Sequence, residues 1–310
     1  MSNKATREAL GETLVELADE GVDVVAVEAD LSKSTTTFKL AEKYEERFFN
    51  VGIAEANMMG VAAGLAVAGK IAFTGSFAVF ATGRAYDQIR NTVCYAGLNV
   101  KITPTHAGIT VGPDGGSHQM NEDLALMRVL PGMRVLVPAD YHSAKAAIRL
   151  AAATPGPFYV RLGRATLPEV YPADAELEVG GANVLRTGTD VTIVACGVMV
   201  AQALAAADLL AADDISAEVI DAYSIKPLDE DTVLRSVRKT GVVVTCEEHS
   251  IIGGLGSAVA ELLVEHAPRK LIRIGVRDVF GTSGEPDELM AHFGLTAADI
   301  KLAASSLVIR

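Results

Sequence analysis

The chain has 310 residues, half of them hydrophobic, no tryptophan and a formal net charge of −12. This length accommodates two domains with substantial cores, and the composition is typical of a soluble α/β enzyme. The acidic charge argues against nucleic acid or an anionic membrane as a partner.

The cysteines and the N-terminus indicate the cellular compartment. Cys94, Cys196 and Cys246 lie far apart in apolar stretches, in no metal-ligand or disulfide spacing. The opening Met-Ser-Asn-Lys has no apolar signal core, and no apolar run reaches membrane-spanning length. We therefore expect a cytoplasmic protein that binds neither nucleic acid nor membrane.

Alternating helix and strand patterns predict a three-layer α/β/α domain over residues 1–165. Its predicted strands cover residues 22–28, 70–76, 100–104, 133–138 and 158–161, and its predicted helices cover 5–20, 56–68, 144–152 and a stretch that begins at 77.

A Pro-rich and acidic stretch, residues 166–189, reads as a linker to a second α/β/α domain over 190–310. The predicted strands there cover 191–196, 217–220, 242–247 and 271–275, and the predicted helices cover 200–211 and 230–240, with one more after Gly256 and two near the C-terminus.

Glu55 begins the small-residue helix of the first domain. A helix so poor in polar residues is expected to be buried on most sides. A carboxylate at its start then needs protonation or a specific partner. It is either a helix N-terminal charge facing the macrodipole or an acid that exchanges a proton with a bound heterocycle.

Other polar and aromatic side chains follow the predicted strands. Asp30 and Ser34 come after the first strand, where ligands gather in open parallel sheets, although Asp30 and Ser32 could equally cap the following turn. Phe77 and Phe80 share one helix face. Such a pair is usually core and becomes a stacking surface only beside a flat ligand.

The loop over residues 106–119 combines His106, Asp114 and His118 with four glycines just beyond a strand end. A purely structural connection would seldom need both histidines, so we expect a functional site here. Histidine suits proton transfer and phosphate contact near neutral pH.

Arg161 also lies at a predicted strand end, where its planar fork suits an oxyanion such as phosphate. Arg164 is the weaker candidate and reads as a solvated surface residue. The Gly-Gly-Leu-Gly turn at 253–256 lacks dinucleotide-binding spacing and indicates tight packing at a helix start. His142, His249, His266 and His292 are expected to be structural or exposed.

Several motifs, in this order, resemble the C-terminal two-thirds of transketolase and of 1-deoxyxylulose-5-phosphate synthase across nearly the whole chain. The motifs are Ala29-Asp30-Leu31, Gly52-Ile-Ala-Glu55, Ser76-Phe-Ala-Val-Phe80, Asp114-Gly-Gly-Ser-His118-Gln, Pro138-Ala-Asp140, Val160-Arg161 and the stretch from Glu247 to Gly256. The resemblance implies a thiamine-diphosphate pyrimidine-binding domain followed by a transketolase C-terminal domain.

The resemblance also implies site roles. Glu55 corresponds to the acid that protonates the aminopyrimidine ring of thiamine, Phe77 and Phe80 to rings that pack on it, and Asp30 to a residue that shapes the cofactor site. His118 corresponds to a histidine near the reacting carbon. The implied donor-binding residue is Asp114, and the implied sugar-phosphate anchors are Arg7, Ser34, His106 and Arg161.

Two departures qualify the resemblance. Gly83 stands where many transketolases carry a third aromatic residue, and Tyr86 is a possible substitute. The family's Gly-Asp-Gly and following Asn, which hold Mg²⁺ and the diphosphate, are absent, and Met1 directly precedes the first helix. We therefore expect a split transketolase, in which an N-terminal subunit supplies the Mg²⁺ ligands in an α₂β₂ assembly with sugar-phosphate substrates.

The expected reaction is transfer of a two-carbon ketol unit from a ketose phosphate to an aldose. The alternatives are a 2-oxo acid dehydrogenase β subunit, a deoxyxylulose-phosphate-synthase-like enzyme, and a non-catalytic assembly or regulatory subunit. His106 and the anion-binding set argue against a short 2-oxo acid. The presence of Glu55 and the histidine loop argues against a non-catalytic subunit.

Overall fold

The computed structural model describes residues 4–308. Its strands, in chain order, are β1 (Lys4–Ala5), β2 (Val24–Glu28), β3 (Phe48–Asn50), β4 (Ile71–Gly75), β5 (Val100–Ile102), β6 (Arg134–Leu136), β7 (Phe158–Val160), β8 (Thr166–Leu167), β9 (Asn183–Arg186), β10 (Val191–Ala195), β11 (Ala217–Asp221), β12 (Ser224–Lys226), β13 (Val242–Ser250) and β14 (Lys270–Val276).

The α-helices are α1 (Thr6–Asp19), α2 (Ser32–Thr35), α3 (Phe38–Lys43), α4 (Glu55–Val67), α5 (Asp123–Arg128), α6 (Tyr141–Ala153), α7 (Met199–Ala211), α8 (Glu230–Thr240), α9 (Leu255–His266), α10 (Pro286–His292) and α11 (Ala297–Leu307). Two segments are π-helical, Val79–Arg84 and Gln88–Cys94. Two others form 3₁₀ turns, Glu45–Arg47 and Ile109–Asp114.

The first domain is built on a seven-stranded sheet in the order β12-β6-β7-β5-β4-β2-β3. Strands β2 to β7 pair in parallel, whereas the edge strand β12 pairs antiparallel with β6. Because the chain runs from β2 to β3 on one side and then to β4 on the other, the strand order reverses between β2 and β4. Ligand sites of open α/β sheets form at such a reversal.

The second domain is built on a five-stranded sheet in the order β14-β13-β10-β11-β9. Strand β9 pairs antiparallel with β11, and the remaining neighbours are parallel. Strand β9 falls inside residues 166–189, the stretch expected to be a linker, and β12 returns to the first sheet. A strand from the second half of the chain therefore forms one edge of the first-domain sheet.

Alternating strand residues place the core on both faces of each sheet. In β2, Val24 and Ala26 pack with helices α1 and α6, whereas Val25 and Val27 pack with α4 and with the Gln88–Cys94 segment. In the second domain, α7 and α11 cover one face and α8 and α9 cover the other. The predicted pair of three-layer α/β/α domains is confirmed.

Helix α4 is not buried on most sides, and the prediction was wrong on this point. Only its methionine-bearing face packs on the sheet; Ala56, Gly60 and Gly64 are exposed. Val67 is 74% exposed, and Ile53, just before the helix, is 76% exposed. The small residues therefore form an open apolar face on this chain.

Across residues 4–308, none of the helices combines the length and apolar character needed to cross a bilayer.

Candidate active site

The candidate site residues follow the carboxyl ends of parallel strands, which meet at one edge of the first sheet. Strand β3 is followed by Glu55, β4 by Phe77, β5 by His106 and β7 by Arg164. Polar and aromatic groups from distant parts of the chain are thereby collected in one place.

Glu55 is the first residue of α4 and is only 4% exposed. Its carboxylate accepts a hydrogen bond from Nη1 of Arg84 at 3.0 Å, and the Arg84 side chain is 55% exposed. The Arg84 guanidinium also lies over the Phe80 ring, 4.3 Å from its centroid. The sequence correctly predicted a buried acid that needs a partner, but it did not identify Arg84.

Four rings form a continuous cluster next to this ion pair. Phe77 stacks on His106 with ring centroids 3.8 Å apart, and it lies nearly parallel to Phe80 at 6.0 Å. His118 meets the Phe80 ring edge-on at 5.4 Å. The two histidines of the glycine-rich loop therefore converge on the two phenylalanines.

His106 is held in a strained and apolar setting. Its φ is 60°, in the left-handed region that non-glycine residues seldom adopt, and such strain concentrates at functional sites. Its Nδ1 lies 2.7 Å from the Thr105 hydroxyl. Burial, with smaller effects of Arg7 and Arg164, lowers the pKa of His106 to about 3. The ring is therefore neutral at physiological pH.

Arg7 and Arg164 form the cationic side of the site. Gly163 accepts from the backbone N–H of Arg7, and its own N–H donates to Thr6 Oγ1 at 2.7 Å, which brings the start of α1 beside Arg164. Burial and then the charge of Arg164 lower the pKa of Arg7. Among the described residues, Nε of Arg7 is buried without a hydrogen-bond partner. A free buried donor between positive charges suits an anion.

Ser34 and Asp114 are attached to these arginines. Arg7 donates to the backbone carbonyl of Ser34 at 3.1 Å. Arg164 donates to the carboxylate of Asp114 at 3.2 Å and to the carbonyl of Val111 at 2.8 Å. Arg164, which the sequence suggested to be a solvated surface residue, is therefore part of the cluster.

The structure does not bring Arg161 to this cluster. Its buried side chain forms a bidentate ion pair with Asp123, with Nε 2.7 Å from one carboxylate oxygen and Nη2 3.1 Å from the other. Nη2 also donates to the carbonyl oxygens of Glu248 and Met120. These bonds occupy the guanidinium, so the strand-end position of Arg161 does not leave it free to bind an anion, whereas Arg164, three residues on, lies beside Arg7.

Asp30 lies outside the cluster as well. It is exposed, with a φ of 64°, and it exchanges hydrogen bonds with the Asn50 side chain. Next to it, the fully buried Glu28 accepts from Thr35 and Thr37 and fixes the turn that carries Ser34. No local pattern marks Glu28, because it reads as an ordinary strand residue.

The remaining candidates have structural surroundings. Tyr86 packs on the first-domain core, and Gly83 is exposed. His249 is fully buried, where it accepts the N–H of Leu124 at 3.1 Å, and burial lowers its pKa to about 4. His142 is half-buried, and His266 and His292 are exposed.

At the Gly-Gly-Leu-Gly turn, the carboxylate of Glu247 accepts the first two N–H groups of α9, so tight packing is confirmed.

Comparison with known proteins matches the geometry to one family. Residues 2–170 match the model of the transketolase pyrimidine-binding domain, and residues 180–300 match that of the transketolase C-terminal domain. A "putative transketolase C-terminal section" from Methanocaldococcus jannaschii is 49% identical over 96% of this chain and 94% of that protein. A "6-deoxy-6-sulfo-D-fructose transketolase subunit SqwH" from Clostridium sp. is 47% identical over 98% of this chain and 94% of that protein.

A solved structure described as "split gene transketolase, inactive beta4 tetramer" superposes with a TM-score of 0.91 at 52% identity and covers 99% of both chains. The fold is therefore that of a transketolase pyrimidine-binding domain joined to a transketolase C-terminal domain. The chain belongs to the transketolase family and resembles its separately encoded C-terminal sections, as the sequence motifs predicted.

The low pKa of His106 predicts an acid-dependent loss of stability. The unfolded chain protonates this histidine below about pH 6.5, whereas the folded chain resists protonation down to about pH 3. Stability therefore falls as the pH drops through that window, by about 2 kcal/mol at pH 5 for this group. His106→Gln should reduce the slope of the unfolding free energy against pH between pH 7 and 5, while buried His249 keeps its own contribution.

His266→Gln, at an exposed position, is the matched control and should leave that dependence unchanged. Parallel curves for wild type and His106→Gln would contradict the assignment of a neutral, buried ring.

Proposed function

We propose that this chain is the catalytic C-terminal subunit of a two-subunit transketolase that moves a two-carbon ketol unit from a ketose phosphate to an aldose. One observation carries the proposal: a buried acid and an aromatic pair lie beside a cationic cluster that has a free buried donor. A flat heterocycle and a phosphorylated sugar are the ligands that these two halves of the site would accept.

The residues present fit thiamine diphosphate. The half-buried Phe80 would offer a pyrimidine the ring face that Arg84 covers in this chain, and Glu55 would offer a carboxyl group beside it. Arg84, which now pairs with Glu55, is half-exposed and can turn away without disturbing the core. The bound cofactor supplies the carbon nucleophile that cleaves the ketose. Glu55 would share a proton with a ring nitrogen and fix the ring's orientation, and Phe77 would support His106.

The cationic side fits the sugar phosphate. Arg7 and Arg164 would bind the dianion through charge-assisted hydrogen bonds, with neutral His106 as a further donor or acceptor. Asp114 is bonded to Arg164, and His118 contacts both phenylalanine rings, so we expect the sugar hydroxyls to pass these two side chains. Ser34 would contribute its hydroxyl beside Arg7.

The open face of α4 supports a partner subunit. Exposed Ile53 precedes the end of α4 that carries Glu55, and exposed Gly60, Gly64 and Val67 continue along the helix from there. A face of small and apolar residues permits close approach of another chain. The related proteins are named as a section or a subunit. We therefore place the diphosphate and Mg²⁺ ligands on an N-terminal subunit, in an α₂β₂ assembly in the cytoplasm.

The cationic cluster disfavours a 2-oxo acid dehydrogenase β subunit. A short 2-oxo acid carries one carboxylate and no phosphate, so it needs neither Arg7 nor Arg164. Pyruvate should therefore be a poor donor compared with a ketose phosphate.

Reconstitution tests the proposed activity. Mixing this chain with the N-terminal subunit, thiamine diphosphate and Mg²⁺ should give ketol transfer that neither subunit shows alone. Glu55→Gln should lower kcat about 100-fold or more, because a positioned acid–base group contributes on that order, and should leave assembly intact. Glu176→Gln, at an exposed position, serves as the control. Transfer by this chain alone, or full turnover with Glu55→Gln, contradicts the proposal.

Substitutions of Arg164 and Arg161 should have different effects, the first on substrate binding and the second on folding. Arg164→Ala should raise KM for a phosphorylated donor about 10-fold or more, by loss of a charge-assisted bond of about 1.5–3 kcal/mol, with little effect on the unphosphorylated sugar. Arg161→Ala should instead lower the unfolding free energy by about 3–5 kcal/mol, because it leaves Asp123 buried and unpaired.

KM values for the phosphorylated donor and for the unphosphorylated sugar, together with thermal unfolding of each variant, distinguish these outcomes. A phosphate-selective defect in Arg161→Ala, or an Arg164→Ala variant that treats both sugars alike, would reverse the assignment.

A further inference from the structure

The glycine-rich loop over residues 108–116 lies against the second domain, and this contact explains its glycines. A Cβ added at Gly115 would meet Ser283 Oγ at 2.5 Å, and one at Gly116 would meet the carbonyl oxygen of Gly281 at the same distance. Real Cβ atoms do not approach other atoms so closely. Gly116 is therefore required by a backbone contact with the C-terminal domain, and Gly115 by its φ of 76°, which favours glycine.

Glu248, at the end of β13 in the second domain, holds the start of this loop. Its buried carboxylate accepts the backbone N–H of Thr110 at 2.6 Å. A Cβ at Gly108 would lie 2.3 Å from the same carboxyl group. The Gly108 N–H donates to the carbonyl of Met120 at 2.8 Å, which ties the two ends of the loop together.

Gln119 makes a second bridge between loop and domain. Its Nε2 donates to the carbonyl of Ile109 at 3.0 Å and to that of Thr282 at 2.9 Å. One side chain thus joins both ends of the loop to the second domain. A buried amide with both donors occupied resists displacement.

The tethered loop begins two residues after His106, contains Asp114, and ends two residues before His118. We propose that the C-terminal domain positions the sugar-binding histidine loop, and that Glu248 is the positioning residue through which it acts. Glu248 touches no proposed substrate group; it holds the backbone at Thr110, in the loop that contains Asp114 and connects His106 to His118. This inference rests on the proposed function.

A matched pair of buried carboxylates makes the inference testable. Glu247 and Glu248 are adjacent and buried, and each accepts backbone N–H groups. Within residues 4–308, the Glu247 carboxylate contacts its own domain, through the start of α9 and Nδ1 of His249 at 3.7 Å. The Glu248 carboxylate instead reaches the first domain, through the N–H of Thr110 and Nη1 of Arg161 at 3.9 Å. Glu248→Leu removes the tether, Glu248→Gln keeps an acceptor oxygen, and Glu247→Leu serves as the control.

The first measurement is amide hydrogen exchange of the full chain, resolved to peptides within residues 106–119. In Glu248→Leu, the amides of this loop should exchange at least 10-fold faster than in the wild type, whereas the exchange rates over α1 should stay unchanged. Glu248→Gln should restore most of the protection, and Glu247→Leu should loosen α9 instead. Because Glu248→Leu could fail to fold, Gln119→Leu provides a second variant with the same expected loop-specific increase.

The second measurement is the kinetics of the reconstituted enzyme. Glu248→Leu or Gln119→Leu should raise donor KM about 10-fold while the Kd for thiamine diphosphate stays within 2-fold, because Glu55 is held by Arg84 and Phe80 stacks on Phe77, both outside the loop. A general folding defect would weaken the binding of both the donor sugar and thiamine diphosphate. Glu248→Gln should recover the wild-type KM.

The outcomes separate the two proposals. A wild-type assembly without ketol transfer overturns the proposed function, while the exchange measurement still reports on the tether. An active wild type whose variants keep loop protection, or lose protection without a change in donor KM, overturns the positioning role of Glu248.

Discussion

The buried ion pair between Arg161 and Asp123 is the interaction on which the arrangement of the two domains depends. Burial alone would raise the pKa of Asp123, but Arg161 and further hydrogen bonds outweigh that effect and lower it. Tyr159 donates to the same carboxylate at 2.6 Å, and the Arg161 guanidinium reaches the backbone of β13. A buried pair is tolerated when its remaining donors and acceptors are satisfied. Here they join the end of β7, the start of α5 and the second domain.

The candidate site lies at the edge of the first sheet. It holds a buried acid, two phenylalanines and a cationic cluster, yet the helix that carries the acid leaves an apolar face open. The ion pair between Glu55 and Arg84 neutralises the acid in this chain. His106 keeps a φ of 60° while Thr105 and Phe77 hold its ring in place. These features suit a site completed by another polypeptide.

Much of this architecture could be predicted from the sequence. Helical and alternating apolar patterns located most helices and strands, and glycine and histidine content identified the loop over residues 106–119. Glu55 was identified because a buried carboxylate requires a partner. Phe77 and Phe80 were identified because their spacing places both rings on one helix face. Local chemistry and position relative to strand ends were sufficient there.

The failures share one physical cause: local sequence does not specify which side chains meet across the chain. Arg161 and Arg164 both follow β7, but only the fold shows that Asp123 binds the first and that Arg7 lies beside the second. The composition of α4 suggested burial, whereas its outer face is open. Glu248 and Gln119 have no local signature, because their roles depend on contacts between domains.

The most direct test is a high-resolution structure of the assembled enzyme with thiamine diphosphate bound. The account predicts a Glu55 carboxyl oxygen within hydrogen-bonding distance of a pyrimidine nitrogen, about 2.7–3.2 Å, with the ring packed beside Phe80 and Arg84 turned away. A ring bound elsewhere, with Glu55 still paired to Arg84, would contradict it.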